Sequence, residues 1–178
     1  MINKTGKEKT RIVYGDSDTL SSFLNRNSFE IFLKPFEIEG FEIVIPQVVY
    51  DEVCRGPHKV ERKNQIDAVK RMNRVVVEDI ESGTEAADIY FSLCEKMGKG
   101  EAAALAMAES SEGKAVVASN NMSDVKTYAA SHGIQLWPTA KILQKAIRHN
   151  VITENRADVL WEKMKEDGMK LPDEWRKE

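Results

Sequence analysis

RIVYGDSDTLSSFL, residues 11–24, reads as a short apolar strand that stops at acidic residues and runs at once into a helix. Ile12, Val13 and Tyr14 are the β-branched and aromatic types a buried strand takes, and Gly15 lets the backbone turn. Asp16 and Asp18 fall just past the strand, with Leu20, Phe23 and Leu24 at helical spacing behind them. Ligands of open α/β sheets bind outside the carboxyl ends of the strands. A carboxylate there can meet acids from other strand ends around a hard cation, which takes oxygen ligands. The same aspartate also suits the cap of the following helix. Taken alone, the stretch leaves both roles open.

Outward from it, strands and helices alternate. Ser28–Phe36 predicts a second helix from Phe29, Phe32, Leu33 and Phe36, with Pro35 marking a frayed end or a kink. FEIVI (41–45) predicts the second strand, and Pro46 opens a helix running to Gly56. On that helix Val48, Val49, Glu52 and Val53 share one stripe, opposite Gln47, Asp51 and Arg55, so Glu52 lies on the apolar side. The plain reading of Glu52 is a residue at the stripe's margin that reaches water. His58–Asn73 predicts the most basic helix, with Ile66, Val69 and Met72 inward. RVVVED (74–79) is a strand or an extended connector, followed by a helix to Met97 with Ala86, Ile89, Tyr90, Leu93 and Met97 inward.

Gly98 and Gly100 then bracket a tight joint, and GEAAALAMAE (100–109) starts another helix. Glu101 falls in its first turn, where the helix dipole favours negative charge, on a stripe with Ala104, Leu105 and Ala108. KAVVAS (114–119) is a strand ending in Ser119, Asn120 and Asn121, with Asp124 just beyond. A helix to Ala130, the strand GIQLW (133–137), a helix from Pro138 to Arg148 and an amphipathic helix from Thr153 to Asp167 complete the pattern. The pattern predicts a three-layer α/β/α sandwich around a central, mostly parallel sheet.

Composition narrows the function classes. The 178 residues suffice for one good-sized core, and 42% hydrophobic with 31% charged residues is ordinary for a soluble domain. A formal charge of −3 excludes a generally basic nucleic-acid binder and leaves that work to a local patch. Arg55, Lys59, Arg62 and Lys63 are the candidate patch, although a charge run on a helix is usually only its solvated face. Cys54 and Cys94 have no zinc-like spacing with each other or with His58, His132 and His149. No apolar run approaches the roughly 20 residues of a membrane span, and polar MINKTGKEKT lacks a signal peptide's core. A cytoplasmic setting and loose residues 1–10 are expected.

Four acids thus stand where chemistry would want them: Asp16, Glu52, Glu101 and Asp124. Carboxylates gathered in one crevice repel, so they normally share Mg²⁺ or Mn²⁺. Such a cluster can generate hydroxide and stabilise charge on a phosphodiester. The pattern resembles the PIN domain family of metal-dependent nucleases, which includes the VapC-type toxins. The matching residues are Asp16-Ser17-Asp18-x-Leu20 after a strand, Ile45-Pro46-x-Val48 with Glu52, Gly100-Glu101-Ala102 opening an alanine-rich helix, and the strand end Val116–Asn121. Each motif is short and degenerate; their order and spacing across residues 11–148 carry the resemblance.

The resemblance implies an endoribonuclease domain over 11–148, with 149–178 a helical extension packed on it. It also implies Mg²⁺ or Mn²⁺ as cofactor. Asp16, Glu52 and Glu101 fall at the family's acidic positions, with Asp16, Glu101 and Asp124 as metal ligands. Ser17, Asp18, Ser119, Asn120 and Asn121 are supporting residues. The family usually carries an aspartate near Asn121, where this chain has amides, and Asp124 is the candidate replacement. RNA is the implied substrate, and toxin of a toxin–antitoxin pair the implied role.

Competing readings are a PIN-like module that binds RNA or protein without cutting, and, more remotely, a haloacid dehalogenase-like phosphatase suggested by Asp16-Ser17-Asp18-Thr19-Leu20. The latter leaves Glu52 and Glu101 unexplained, and its last strand, ending Gln135-Leu136-Trp137-Pro138, offers no acid. A dinucleotide fold lacks its glycine fingerprint after the first strand. The Leu160/Trp161/Met164 face is expected to pack on its own domain, with a homodimer or antitoxin contact as the alternative.

Overall fold

The structure is a computed structural model that describes residues 11–111, 114–121, 123–173 and 175–177; the stretch expected to be loose, 1–10, lies outside them. In chain order the elements are β1 (Arg11–Gly15), α1 (Ser17–Leu24), α2 (Phe29–Ile38), β2 (Phe41–Pro46), α3 (Gln47–Val53), α4 (Lys59–Arg71), β3 (Val76–Glu78), α5 (Glu85–Cys94), α6 (Lys99–Ser110), β4 (Lys114–Ala118), α7 (Asp124–Ser131), β5 (Gln135–Leu136), α8 (Thr139–Arg148), α9 (Glu154–Glu166) and a closing 3₁₀ turn (Trp175–Lys177).

The strands pair in parallel in the order β3-β2-β1-β4-β5. Period-two alternation sends Val13, Ile43, Ile45, Val116 and Ala118 to one face and Tyr14, Val44 and Val117 to the other. Helices α1–α4, α8 and α9 cover the first face, and α5–α7 cover the second, giving the α/β/α sandwich. The chain leaves β1 toward β2 on one side and returns to β4 on the other. The gap between β1 and β4 is therefore the topological switch point, where such sheets open a crevice at their carboxyl edge.

α6 explains how the sheet's second face is sealed. Gly100 and every residue from Ala102 to Ala108 are buried, so this helix has no wet side to speak of. Its alanines let it lie close against the sheet between α5 and α3, which presents Glu101 at the strands' carboxyl end.

On the opposite face, the α2 aromatics pack onto β2 and onto Trp137, which follows β5. Phe36 is fully buried, with its ring stacked on Trp137 at 4.9 Å and near Phe32 at 5.2 Å. Burying each such ring contributes on the order of 1.5–3 kcal/mol. This packing carries α2 through Pro35 to Ile38 instead of letting it fray there. Proline removes one helical N–H, a cost the surrounding aromatic contacts offset.

Met72, expected inward, is 65% exposed, because the buried face of α4 narrows to Ile66 and Val69. Ala86, Ile89, Tyr90 and Met97 are only half-buried, while Ala87 and Leu93 carry the α5 contact.

The C-terminal segment packs on the same core. Ala157, Leu160, Trp161 and Met164 of α9 are buried, and Trp175 returns over them with its ring 6.5 Å from that of Trp161. The apolar face of the tail is thereby used up within the chain. Among the described residues no helix is long and apolar enough to cross a membrane.

Candidate active site

β1 delivers Asp16 to the switch point by its register. Gly15 pairs with Ala118, and the Asp16 N–H continues the ladder by donating to the Ala118 carbonyl at 3.0 Å. Asp16 is 2% exposed and caps α1, its Oδ1 accepting the Thr19 N–H at 2.8 Å. Capping and burial coexist, so the role as a helix cap does not compete with the role as a site residue. Desolvation pushes the Asp16 carboxyl up to about 6 against hydrogen bonds from Ser119 and Thr19, with the nearby Asp18 adding to the rise. Among the described residues Asp16 forms no ion pair with a lysine or arginine, and the largest influences on it are burial and its hydrogen bonds.

Beside Asp16, the β4 strand end is organised by two amides with different duties. Asn120 is a structural clamp. Its Nδ2 donates to Thr139 Oγ1 at 2.8 Å and Thr19 Oγ1 at 3.3 Å, while its Oδ1 accepts the Thr139 N–H at 2.9 Å. Asn121 faces the site, donating from Nδ2 to Glu101 Oε1 at 2.9 Å, while its Oδ1 accepts from Ser123 Oγ at 2.7 Å and Ser123 N at 3.0 Å. Its own N–H donates to Ser119 Oγ at 3.1 Å. Glu101 also takes the Gly98 N–H on Oε2 at 3.3 Å, in the manner of a capping box.

These groups line a crevice of about 700 Å³, whose wall includes Asp16, Asp18, Glu101 and Asn121 together with Asp167–Lys170 from the C-terminal segment. A smaller adjoining cleft of about 160 Å³ shares Asp16, Asp18 and Glu101 and adds Ser17, Glu52 and Lys99. Glu52 is half-buried there, its Oε2 accepting a hydrogen bond from the Ser17 hydroxyl, with Gly100 close behind the pair. Asp16, Glu52 and Glu101 therefore border one cleft. The side-chain atoms it offers a metal are oxygens, from carboxylates and the Ser17 hydroxyl, which suits a hard cation better than zinc or copper. Among the described residues no three His, Cys, Asp or Glu side chains are disposed to hold a single ion directly.

A sequence profile described as the PIN domain matches residues 12–178. The chain belongs to the PIN domain family. No curated protein matches it. Among solved structures, it is similar to a chain of VapBC2 from Rickettsia felis bound to a DNA fragment from their promoter. That similarity has a TM-score of 0.52 and 14% identity, and covers 71% of this chain and 98% of that one. At that identity the likeness is one of fold, and the PIN-like α/β/α architecture is shared.

Within this PIN domain the sequence-derived candidates separate. Asp16, Ser17, Asp18, Glu52 and Glu101 meet at the clefts, and Asn120 and Asn121 border the larger one. Ser119 is fully buried beneath it. Asp124 does not join them. It is exposed as the first residue of α7 and lines neither cleft, because the turn after β4 aims Asn121 at Glu101 instead. Its position suits an acid stabilising a helix N-terminus.

Of the basic candidates, Arg62 ties α4 to Asn25 Oδ1 at 2.7 Å and to the Val53 carbonyl at 3.2 Å, and Lys63 pairs with Asp67 at 3.1 Å. Arg55 and Lys59 are exposed. Thr19, Thr139 and Asp167–Lys170 are contributors that the sequence did not single out. Thr19 reads only as part of the Asp16–Leu20 run, Thr139 carries no motif, and the last group meets the site only through tertiary contact.

Proposed function

We propose that this PIN domain is an endoribonuclease that uses Mg²⁺ or Mn²⁺. The observation that carries the reading is Asp16: a carboxylate 2% exposed, with a raised pKa and no ion-pair partner among the described residues, beside Glu101 at the sheet's switch point. Burying a charge without compensation is costly, and PIN domains are generally nucleases. Asp16 and Glu101 would hold the ion, as Mg²⁺ is commonly bound through one or two carboxylates. Bound there, such an ion supplies a hydroxide nucleophile and Lewis-acid stabilisation of the phosphoryl oxygens. Asp16 is kept in place by the Thr19 N–H and Glu101 by Gly98 and Asn121, so neither carboxylate must reorganise when substrate arrives. Ser17 fixes Glu52 at the side of the cleft, where it can accept a proton from an attacking water.

The expected result is cleavage of a mixed single-stranded RNA pool in Mn²⁺ that stops with EDTA. Cutting that continues in EDTA would refute metal dependence. The similarity to a VapBC2 chain supports a toxin role with an antitoxin partner, in a cytoplasmic setting. Because α9 buries its apolar face internally, a homodimer or antitoxin contact would have to use another surface.

Asn121 supports the second reading, a PIN-like module that binds RNA or a protein without cutting. An amide donating to Glu101 occupies the position where the family resemblance leads one to expect a second acid. The two readings part at Asn121→Asp. For a metal nuclease, the added carboxylate, 2.9 Å from Glu101 in place of the amide, destabilises the metal-free protein by like-charge repulsion. It also tightens metal binding, so the Mn²⁺ concentration for half-maximal cleavage falls by at least about 10-fold, the scale of a group supporting a metal. A binding module shows no cleavage with either residue.

A further inference from the structure

We infer that the C-terminal strap, Asp167–Lys170, forms the far wall of a nucleic-acid groove, and that Lys170 there binds a backbone phosphate next to the one being cleaved. The inference rests on the nuclease reading above. The crevice is strongly acidic, lined by Asp16, Asp18 and Glu101 and by Asp167 of the strap. A polyanion entering it needs a fixed cation. Among the described residues lining the crevice, Lys170 is the one basic side chain. Arg26, in the turn that follows α1, pairs with Asp167, which cancels that acid and pins the strap beside the helix Asp16 caps. Lys170 is exposed and enters no ion pair or hydrogen bond among the described residues, so its ammonium is available. Lys99 stands similarly exposed in the adjoining cleft.

The strap is held by contacts at both ends. On the site side, Arg26 also donates to the Lys163 carbonyl at 2.8 Å, and the Ser22 hydroxyl donates to the Met169 sulfur. Beyond the strap, the buried Trp175 donates to Asp158 Oδ1 at 3.0 Å, Gln144 donates to the Trp175 carbonyl at 3.1 Å, and Trp161 donates to the Pro172 carbonyl at 3.2 Å. A segment tethered this way presents Lys170 to the crevice with little ordering left to do, which is how a binding residue keeps its affinity.

The test measures salt dependence of binding by fluorescence anisotropy. The full chain carrying Asp16→Asn, so that substrate persists, is titrated with labelled oligouridylate, and separately with oligothymidylate, at fixed MgCl₂ over a range of NaCl. Removing one phosphate contact from a single strand lowers the slope of log K against log salt by about 0.7. Lys170→Ala is expected to do so, Lys170→Arg to retain the slope, and Lys163→Ala, an equal loss of charge outside the crevice, to leave it unchanged. Binding whose slope ignores Lys170→Ala, or responds equally to Lys163→Ala, overturns the assignment and leaves the nuclease reading standing. Failure of every variant to bind either oligonucleotide overturns both.

Discussion

Asp16→Asn is expected to abolish most cleavage and, in EDTA at neutral pH, to melt at a higher temperature than the wild type. Loss of activity should be about 10²–10³-fold, the scale of removing a preorganised electrostatic contact to the reacting groups. The gain in stability follows from linkage. The Asp16 pKa rises from 3.8 to about 6 on folding, so the native state holds this proton more tightly than the unfolded chain. A group raised in this way contributes stability that is fully present below the unfolded value and is lost as pH rises through the folded one. Above pH 6 the ionised wild type therefore forgoes up to about 3 kcal/mol, at about 1.4 kcal/mol per pKa unit.

Asparagine carries no charge to desolvate and caps a helix about as well as aspartate. Its Oδ1 can accept the Thr19 N–H as before, and the Ser119 hydroxyl can turn to accept from the new amide. For a chain of this size, about 2–4 °C per kcal/mol converts the difference into several degrees. The gap should open between pH 4 and 6, hold at pH 7.5, and disappear at lower pH. Mn²⁺, binding only the native site, should raise the wild-type melting temperature and not that of the variant. A variant that melts below the wild type in EDTA at pH 7.5 would show that the Asp16 charge is compensated by something other than a cation.

Stability is in this way given up at the residue the opening stretch of sequence made most conspicuous, and that explains why it was legible. Strand β1 is short and strongly β-forming, and a polar run that follows it at once can only sit at the sheet's edge. The inward phase of Glu52 could likewise be read from helical periodicity on α3, whereas α6 is buried nearly all round and Glu101 was legible from its place in the first turn after Gly98 and Gly100. The turn after β4 has no periodicity. There the nearest remaining acid, Asp124, was the natural candidate, but hydrogen bonds from Ser123 to Asn121 Oδ1 turn the amide toward Glu101 and leave Asp124 on the solvent side of α7.

Pro35 misled for a related reason. Local propensity predicts a helix end, whereas the stacking of Phe36 on Trp137, a hundred residues away in sequence, is a tertiary term that no local rule contains. The tail was legible as an amphipathic helix. Its strap was not, since the Ser22–Met169 contact that brings it to the crevice joins residues 147 apart.

Gly100→Ala makes the same point as a measurement, because propensity and packing predict different outcomes. Alanine in a helix interior is favoured over glycine by about 1 kcal/mol, and some of that gain extends to the first turn where Gly100 lies, so the local rule forecasts a slightly more stable α6 with activity untouched. The space around Gly100 forecasts otherwise. A Cβ there would lie 2.7 Å from Glu52 Oε2 and 3.3 Å from Val49 Cγ2, and would also overlap the Ser17 hydroxyl. Two of these neighbours are the ends of movable side chains, so the fold can survive by letting them swing away; Val49 is fully buried and yields less easily.

The relief costs the Ser17–Glu52 hydrogen bond and shifts Glu52 out of the small cleft it shares with Asp16 and Glu101. The propensity gain and the packing loss oppose each other, so the melting temperature should move by no more than a few degrees. Cleavage should fall by about 10–100-fold, the scale of losing groups that orient a metal site. Glu52→Gln on the wild-type background should reproduce most of that loss without the steric change, and combining it with Gly100→Ala should add little, since both act through one contact. Losses that instead multiply would place the effect of Gly100 elsewhere, in the approach of α6 to the sheet. Full activity in Gly100→Ala would show that the cleft tolerates a displaced Glu52, and Glu52 would then have no part in the chemistry.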